Sequence, residues 1–470
     1  MTTVGEPPAE EQPLIRHVVV VGGGIAGLAA ALTLRRQGPP GLRITVLEAW
    51  PRLGGKLRTT PLEGLSLEEG AEAFLVRRPE ALRLAESVGL GGELVGPATL
   101  AASVWIRGRL RPLPPRTVLG VPTQLRTLAG VISRAGMARA ALDRLLPRTE
   151  PGDDVAVGRY VAARLGGEIV DRLVDPLLGG VYAGRAEELS MAVTVPDLMR
   201  TVRGERSLIS AARKGLRPPS AGPVFQTLPG GLSRLVEAVA AAARAEIRTS
   251  VTVRELCRTE TGWRLVLGSA REPELLAADA VVLAVPAAPA ARLLVDAVPN
   301  AAAELAALEY ASVATITLLY REPVPTAGSG LLVPAVEGRS VKAATFSSAK
   351  WPHLAPAPGN PTVVRASVGR HGDAADLQRD DAELVSAAAA DLTAMTGLRE
   401  PIAGRVTRWG GALPQYPVGH LDRVARVRAA VGLQPGLAVC GAAYDGVGIP
   451  ACIASGERAG GELAHRLQLG

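Results

Sequence analysis

The sequence predicts a layered α/β fold around a parallel sheet, joined to an α+β part with a mixed sheet and to a helical part. Three observations predict it. A β-branched run, His17–Val21, leads directly into Gly22-Gly23-Gly24-Ile25-Ala26-Gly27 and then an Ala- and Leu-rich helical stretch. A second short strand, residues 437–440 (LAVC), leads into a glycine-rich loop over 441–450 and a last helical stretch over 451–467. A third buried-strand pattern, residues 280–286 (AVVLAVP), lies between them. The parallel sheet is therefore expected to be discontinuous, with strands from both ends and from the middle of the chain.

Composition narrows the class. The 470 residues are too many for one simple core, and 47% of them are hydrophobic, enough to exclude whole-chain disorder. The formal charge of +7 comes from 52 Lys+Arg against 45 Asp+Glu, but the arginines are scattered and only 3% of residues are aromatic. A nucleic-acid surface would cluster its cations and interleave aromatics, so no nucleic-acid partner is expected. Three cysteines, Cys257, Cys440 and Cys452, exclude a disulfide framework. A reducing, cytoplasmic setting follows as the expectation. Residues 1–13 are acidic and Pro-rich, unlike a secretory leader, and read as a disordered tail.

The first motif has a physical logic. Gly22 makes the tight turn after the strand, Gly24 admits close approach to a pyrophosphate, and Gly27 lets the helix pack on the strand. The helix N-terminus presents free N–H groups and a positive dipole end to phosphate. A second strand over 43–47 ends at Glu48, twenty-one residues past Gly27, where a carboxylate can accept hydrogen bonds from an adenosine ribose. Strand, GxGxxG, helix, strand and acid form a Rossmann-like dinucleotide unit, which by itself fits NAD or FAD. The continuation Glu48-Ala49-Trp50-Pro51-Arg52-Leu53-Gly54-Gly55-Lys56 resembles the second signature of the amine-oxidase-like FAD superfamily. Gly54 and Gly55 permit close backbone approach, while Arg52 and Lys56 bring positive charge toward a diphosphate. At the other end, the helix after residue 450 offers a positive terminus to a reduced flavin ring.

Residues 14–79, 222–286 and 405–470 are expected to form the FAD-binding domain. Residues 80–215, with helical periodicity in 80–88 and 158–174, are expected to be a helical domain whose apolar faces are most simply core, with a membrane-facing side as the sharper minority reading. Residues 287–404 mix strand patterns (313–320, 362–368) with a helix (382–395) and read as a substrate domain. The five histidines are far apart, and HExxH, CxxC, GxSxG and Walker A patterns are absent from the sequence. No metal site is expected, and no general base stands out.

With these motifs in place, the chain resembles the protoporphyrinogen/coproporphyrinogen oxidase family from about residue 16 to 467. The resemblance rests on residues 175–184 (DPLLGGVYAG) with Glu188-Leu189-Ser190, 69–75 (EGAEAFL) and 346–352 (FSSAKWP). It also rests on Trp409 through Leu413-Pro414-Gln415-Tyr416 to Gly419-His420, and on 444–450 (YDGVGIP). It implies an amine-oxidase-type flavoprotein that oxidises a porphyrinogen in haem biosynthesis. Six electrons leave in three flavin cycles, and molecular oxygen is reduced to hydrogen peroxide. It also implies FAD contacts at Gly22 to Gly27, Glu48, Lys56, Gly70, Ala71, Glu72, Ala73, Val253, Trp409, Ala442, Val447, Gly448 and Ile449. Gly180 would lie beside the substrate, with Phe346 and Ser367 as further candidates for the cavity wall. Protoporphyrinogen-type members carry an arginine where this chain has Ala102-Ser103, which points to coproporphyrinogen III and the soluble bacterial branch. Protoporphyrinogen IX oxidase, an amine oxidase, a carotenoid desaturase and a non-catalytic porphyrin or lipid carrier stay as alternatives. Product hand-off to a ferrochelatase and peripheral membrane contact, without a transmembrane segment, complete the expectations.

Overall fold

The computed structural model describes residues 16–216, 222–355 and 360–469; the tail of residues 1–13 lies outside them. β1 (His17–Val21) is buried along its whole length and passes through the glycine loop into α1 (Ile25–Gln37). β2 (Arg43–Leu47) returns beside β1 in parallel register. A polar hairpin follows, β3 (Thr59–Leu62) against β4 (Leu65–Glu68). Next comes a second hairpin, β5 (Ala102–Ile106) with β6 (Arg109–Pro112).

The chain then becomes helical, with α2 (Val157–Leu165), α3 (Asp175–Tyr182) and α4 (Leu208–Gly215) around one apolar core. A fully buried ion pair stands inside this part: Arg164 Nε donates to Asp143 at 2.7 Å. Asp143 also accepts from the Leu208 and Ile209 amides, which cap the start of α4. α5 (Ser233–Ala243) leads back through β7 (Glu246–Arg248) to the antiparallel trio β8 (Val253–Arg258), β9 (Trp263–Gly268) and β10 (Pro273–Ala278). β11 (Ala280–Leu283) follows, then β12 (Tyr310–Tyr320), β13 (Gly330–Leu332), β14 (Val341–Phe346) and β15 (Thr362–Val368). α6 (Asp381–Thr396) opens with a capping box between Asp380 and Glu383. β16 (Ala403–Pro414), β17 (Leu437–Val439) and α7 (Ile449–Leu469) finish the chain.

The five-stranded parallel sheet has the order β7-β2-β1-β11-β17. Its strands come from the start, the middle and the end of the sequence, as the three separated strand patterns require. α1 and α7 pack together over one face, where Gly456 and Gly460 of α7 lie against the α1 backbone. A seven-stranded mixed sheet has the order β16-β12-β15-β14-β13-β5-β6.

Two expected boundaries are corrected. The β5–β6 hairpin lies inside the stretch expected to be helical, yet it hydrogen-bonds to β13 and extends the mixed sheet. β16 falls largely within the expected 405–470 block of the FAD part, yet it pairs with β12 along nine register positions. Both strands are recruited by open sheet edges distant in sequence, so local pattern could not assign them.

Candidate functional site

The glycine loop separates what the fold needs from what a ligand would need. A Cβ on Gly27 would stand 2.0 Å from the Gly22 carbonyl oxygen, so only hydrogen lets α1 close on β1. Gly22 has φ +109° and faces the Ala284 carbonyl. Gly24 is different: its φ of −72° suits any residue, and a Cβ there would meet nothing within 4 Å. Open space therefore lies in front of the α1 N-terminus, whose amides receive no side-chain cap. Uncapped N–H groups facing a cleft suit a phosphate.

Glu48 is buried and aimed at this loop, accepting from the Gly23 amide at 2.7 Å and the Trp50 amide at 2.9 Å. Two amides leave lone pairs on both oxygens for further donors. Gly54 N–H donates to the Gly23 carbonyl at 2.9 Å and ties the second signature to the first. Arg52 folds onto its own turn, donating to the carbonyls of Leu53 (3.1 Å) and Gly55 (2.9 Å). Its first role is thus to clamp the double-glycine turn.

Lys56 keeps partial solvent exposure yet is surrounded by protein on most sides. Burial lowers its pKa, and its ammonium makes no hydrogen bond or ion pair among the described residues. Such a cation needs an anion. The segment from Glu68 to Ala73 packs beside it. A Cβ on Gly70 would stand 1.9 Å from the Lys56 carbonyl oxygen, and Trp409 Nε1 donates to the Glu69 carbonyl at 3.0 Å.

Glu72 is enclosed between Lys350 and Arg365, with Arg365 Nη1 at 2.9 Å. Burial alone would raise its carboxyl, but these two cations outweigh it and hold the pKa below the usual range. Arg365 also donates to the Gly70 carbonyl at 2.7 Å. Burial pushes Glu68 up to about 7, against bonds from the Leu232 amide and the Thr59 hydroxyl.

The loop before α7 closes the other side. Asp445 is held by Arg428 (2.6 and 2.7 Å) and Arg458 (3.0 Å), and Gly441 N–H donates to Ser455 Oγ at 3.1 Å. Ala442 and Val447 are half-buried, Gly448 is exposed, and Ile449 begins the helix. Val253, half-buried, begins β8.

Gly180 sits inside α3 with an exposed surface; the left-handed C-cap is Ala183 (φ 51°). A Cβ on Gly180 would touch only Leu332 Cδ2, at an ordinary 3.6 Å. The fold therefore does not demand this glycine, although a mid-helix glycine costs about 1 kcal/mol against alanine.

Ser367 lies in one cross-strand row with Thr315 and Ala343, and Ala343 in turn pairs with Leu332, the residue beneath Gly180. Phe346 is a correction. It is buried on the opposite face, in the cluster of Trp105, Leu384 and Leu392 against α6, and so does not line this space. A bulge between Val341 and Ala343 shifts the alternation along β14.

Sequence reasoning missed Glu68 and Arg365 as parts of the site. Arg365 is 293 residues from Glu72, so no local signal could pair them. Lys350, Gln415 and Tyr416 stood inside the quoted motifs without a role. Among the described residues, no group of three or more His, Cys, Asp or Glu side chains could hold a metal ion. Among the same residues, no helix is long and apolar enough to cross a membrane.

The model for flavin containing amine oxidoreductase matches residues 25–463. A coproporphyrinogen III oxidase of Mycobacterium leprae (strain TN) is 40% identical over 448 residues, covering 94% of this chain and 97% of that one. A coproporphyrinogen III oxidase of Bacillus subtilis (strain 168) is 34% identical over 464 residues, covering 94% and 97%. The crystal structure of a protein assigned as a protoporphyrinogen oxidase, from Exiguobacterium sp. 255-15, superposes with a TM-score of 0.86 at 34% identity. It covers 96% of this chain and 99% of that one. The chain belongs to the family of flavin-containing amine oxidoreductases.

Proposed function

We propose that this protein is an FAD-dependent oxidase that converts coproporphyrinogen III to coproporphyrin III and reduces oxygen to hydrogen peroxide. The observation that carries the reading is near full-length likeness, at 40% identity, to a coproporphyrinogen III oxidase. The site fits the cofactor: an uncapped α1 terminus, open space at Gly24, and Lys56 without an anionic partner among the described residues. FAD, when bound, accepts two electrons per cycle and passes them to oxygen, so three cycles account for the six electrons of the macrocycle.

The chain's own residues bind, orient and enclose. Gly22 to Gly27, Glu48 and Lys56 take the dinucleotide end. The 69–73 segment, Trp409 and the loop from Ala442 to Ile449 take the ring end. Gly180 and the row of Thr315, Ser367 and Ala343 form the wall against which a flat macrocycle lies. Position, more than acid–base groups, is what this wall supplies. The choice of coproporphyrinogen III is supported by the likeness to coproporphyrinogen III oxidases and by Ala102, which stands where the resemblance puts an arginine in protoporphyrinogen-type members. Ala102 begins β5 in register with Gly330 and Thr345, on the sheet face that carries Arg365, and it brings no cation there. The product is a metal-free porphyrin, which suits hand-off to a chelatase.

Aerobic turnover of coproporphyrinogen III and protoporphyrinogen IX, side by side, tests the reading. Purified yellow protein should generate porphyrin fluorescence faster from the tetra-propionate substrate. A preference for protoporphyrinogen IX would overturn the substrate, and a yellow protein inactive on both would overturn the function.

A further inference from the structure

Two consecutive residues at the end of β16 touch both walls of the site. Gln415 and Tyr416 are buried, at 6% and 0% exposure. The Gln415 amide nitrogen donates to the Tyr182 carbonyl at 2.9 Å and to the Leu413 carbonyl at 3.0 Å, which uses both of its hydrogens. Tyr182 ends α3, so this carbonyl belongs to the last turn, which has no intrahelical partner of its own. The Gln415 side-chain oxygen lies flat on the turn behind α3; a Cβ on Gly184 would be 2.2 Å from it. Tyr416 reaches the other way, its hydroxyl donating to the Ala442 carbonyl in the loop before α7. Its ring meets the Tyr182 ring edge-on, with centroids 5.8 Å apart at 72°. Backbone bonds fix the pair itself: Gln415 N–H to Glu309 O (2.9 Å) and Ser190 N–H to Tyr416 O (2.8 Å).

We propose that Gln415 and Tyr416 form a strut setting the gap between the α3 wall that carries Gly180 and the loop that carries Ala442. They are positioning residues; neither touches reacting atoms. This rests on the reading of that gap as the place where porphyrinogen meets flavin. Redox transfer there depends on near-contact distance, and a misplacement of about 1 Å can cost roughly a hundredfold in rate. Gln415 suits the role because its amide has two donors in fixed geometry facing two carbonyls. A glutamate of the same shape would offer those carbonyls no donor. Tyr416 suits it because one rigid ring spans from the hydroxyl at the loop to the edge of Tyr182.

The variants Q415E, Q415M and Y416F test this on the FAD-loaded protein and on the apoprotein. Anaerobic mixing with coproporphyrinogen III should show flavin reduction slowed roughly 10- to 100-fold in Q415E and Q415M. The substrate concentration for half-maximal rate and the FAD affinity should stay as in wild type. Y416F should raise the FAD dissociation constant about tenfold, from the loss of one buried hydrogen bond, and shift the visible flavin bands without substrate. Wild-type reduction rates in both Gln415 variants would overturn the strut. So would a Y416F protein with unchanged FAD affinity and spectrum. Q415M covers the case in which a buried carboxylate prevents folding. Wild-type flavin that no porphyrinogen reduces would instead sink the function, and the strut would then stand or fall on the Y416F spectrum and affinity.

Discussion

Gly24→Ala and Gly27→Ala should part company, although both belong to the same glycine motif. At Gly24 the backbone is unstrained at φ −72°, and the added methyl meets nothing within 4 Å. The fold should feel less than about 0.5 kcal/mol, the usual range for a surface change without a contact. The methyl would, however, stand where phosphate approaches the α1 amides. Losing one or two charge-assisted bonds at about 1.5 kcal/mol each weakens FAD binding by roughly 10- to 100-fold. At Gly27 the methyl would be 2.0 Å from the Gly22 oxygen, so α1 must back away from β1 by more than an ångström. Overpacking of this kind costs about 1–3 kcal/mol in the apoprotein. The assay is a urea titration of both apoproteins together with fluorescence titration by FAD. The reasoning fails if G24A binds FAD within about twofold of wild type, or if it loses as much apoprotein stability as G27A.

Two further outcomes follow from buried charge. Lys342 is buried with its ammonium donating to the Gly369 carbonyl at 2.7 Å, and burial lowers its pKa from 10.5 to about 7. Between those values the unfolded chain holds a proton that the folded chain does not, so stability falls as pH drops from about 10.5 to 7. The gap sets a ceiling of roughly 4–5 kcal/mol. Lys342→Met should flatten this slope in urea melts from pH 7 to 10; an unchanged slope would show that Lys342 is not its source. Arg164→Met removes the cation from Asp143, whose burial is complete. An uncompensated buried carboxylate costs about 3–5 kcal/mol. The urea midpoint should drop accordingly, and a midpoint within about 0.5 kcal/mol of wild type would refute the pairing as a support of the helical part.

What the sequence made legible was local. The path from β1 through Gly22–Gly27 to α1 could be read because strand, turn, helix and acid lie within about 30 residues, the span of one βαβ unit. The three parallel-strand patterns were legible as buried β-branched runs, and their common sheet followed from that. The β5–β6 hairpin was not, because ASVWI and RLRP are short and lie on a sheet edge supplied by β13 more than 200 residues later. β16 was hidden by its glycines and arginines. Phe346 belongs to a strand whose bulge breaks the alternation from which its face would be inferred.

The cations near the site show why net charge was a poor guide to it. Glu68, Glu69 and Glu72 stand within five residues and draw in charge from across the chain. Arg58 lies 2.8 Å and Arg405 3.3 Å from Glu69, while Lys350 and Arg365 close on Glu72. These cations are neutralised by partners and give little field to an incoming anion. Glu68, with a pKa near 7, caps the start of α5 through the Leu232 amide. Lys56 differs, because its ammonium makes no hydrogen bond or ion pair among the described residues. The excess of seven positive charges is therefore no argument for a tetra-anionic substrate. The specific argument is the Lys56 ammonium and the uncapped α1 terminus, which have no anionic partner among the described residues and suit the diphosphate of the cofactor.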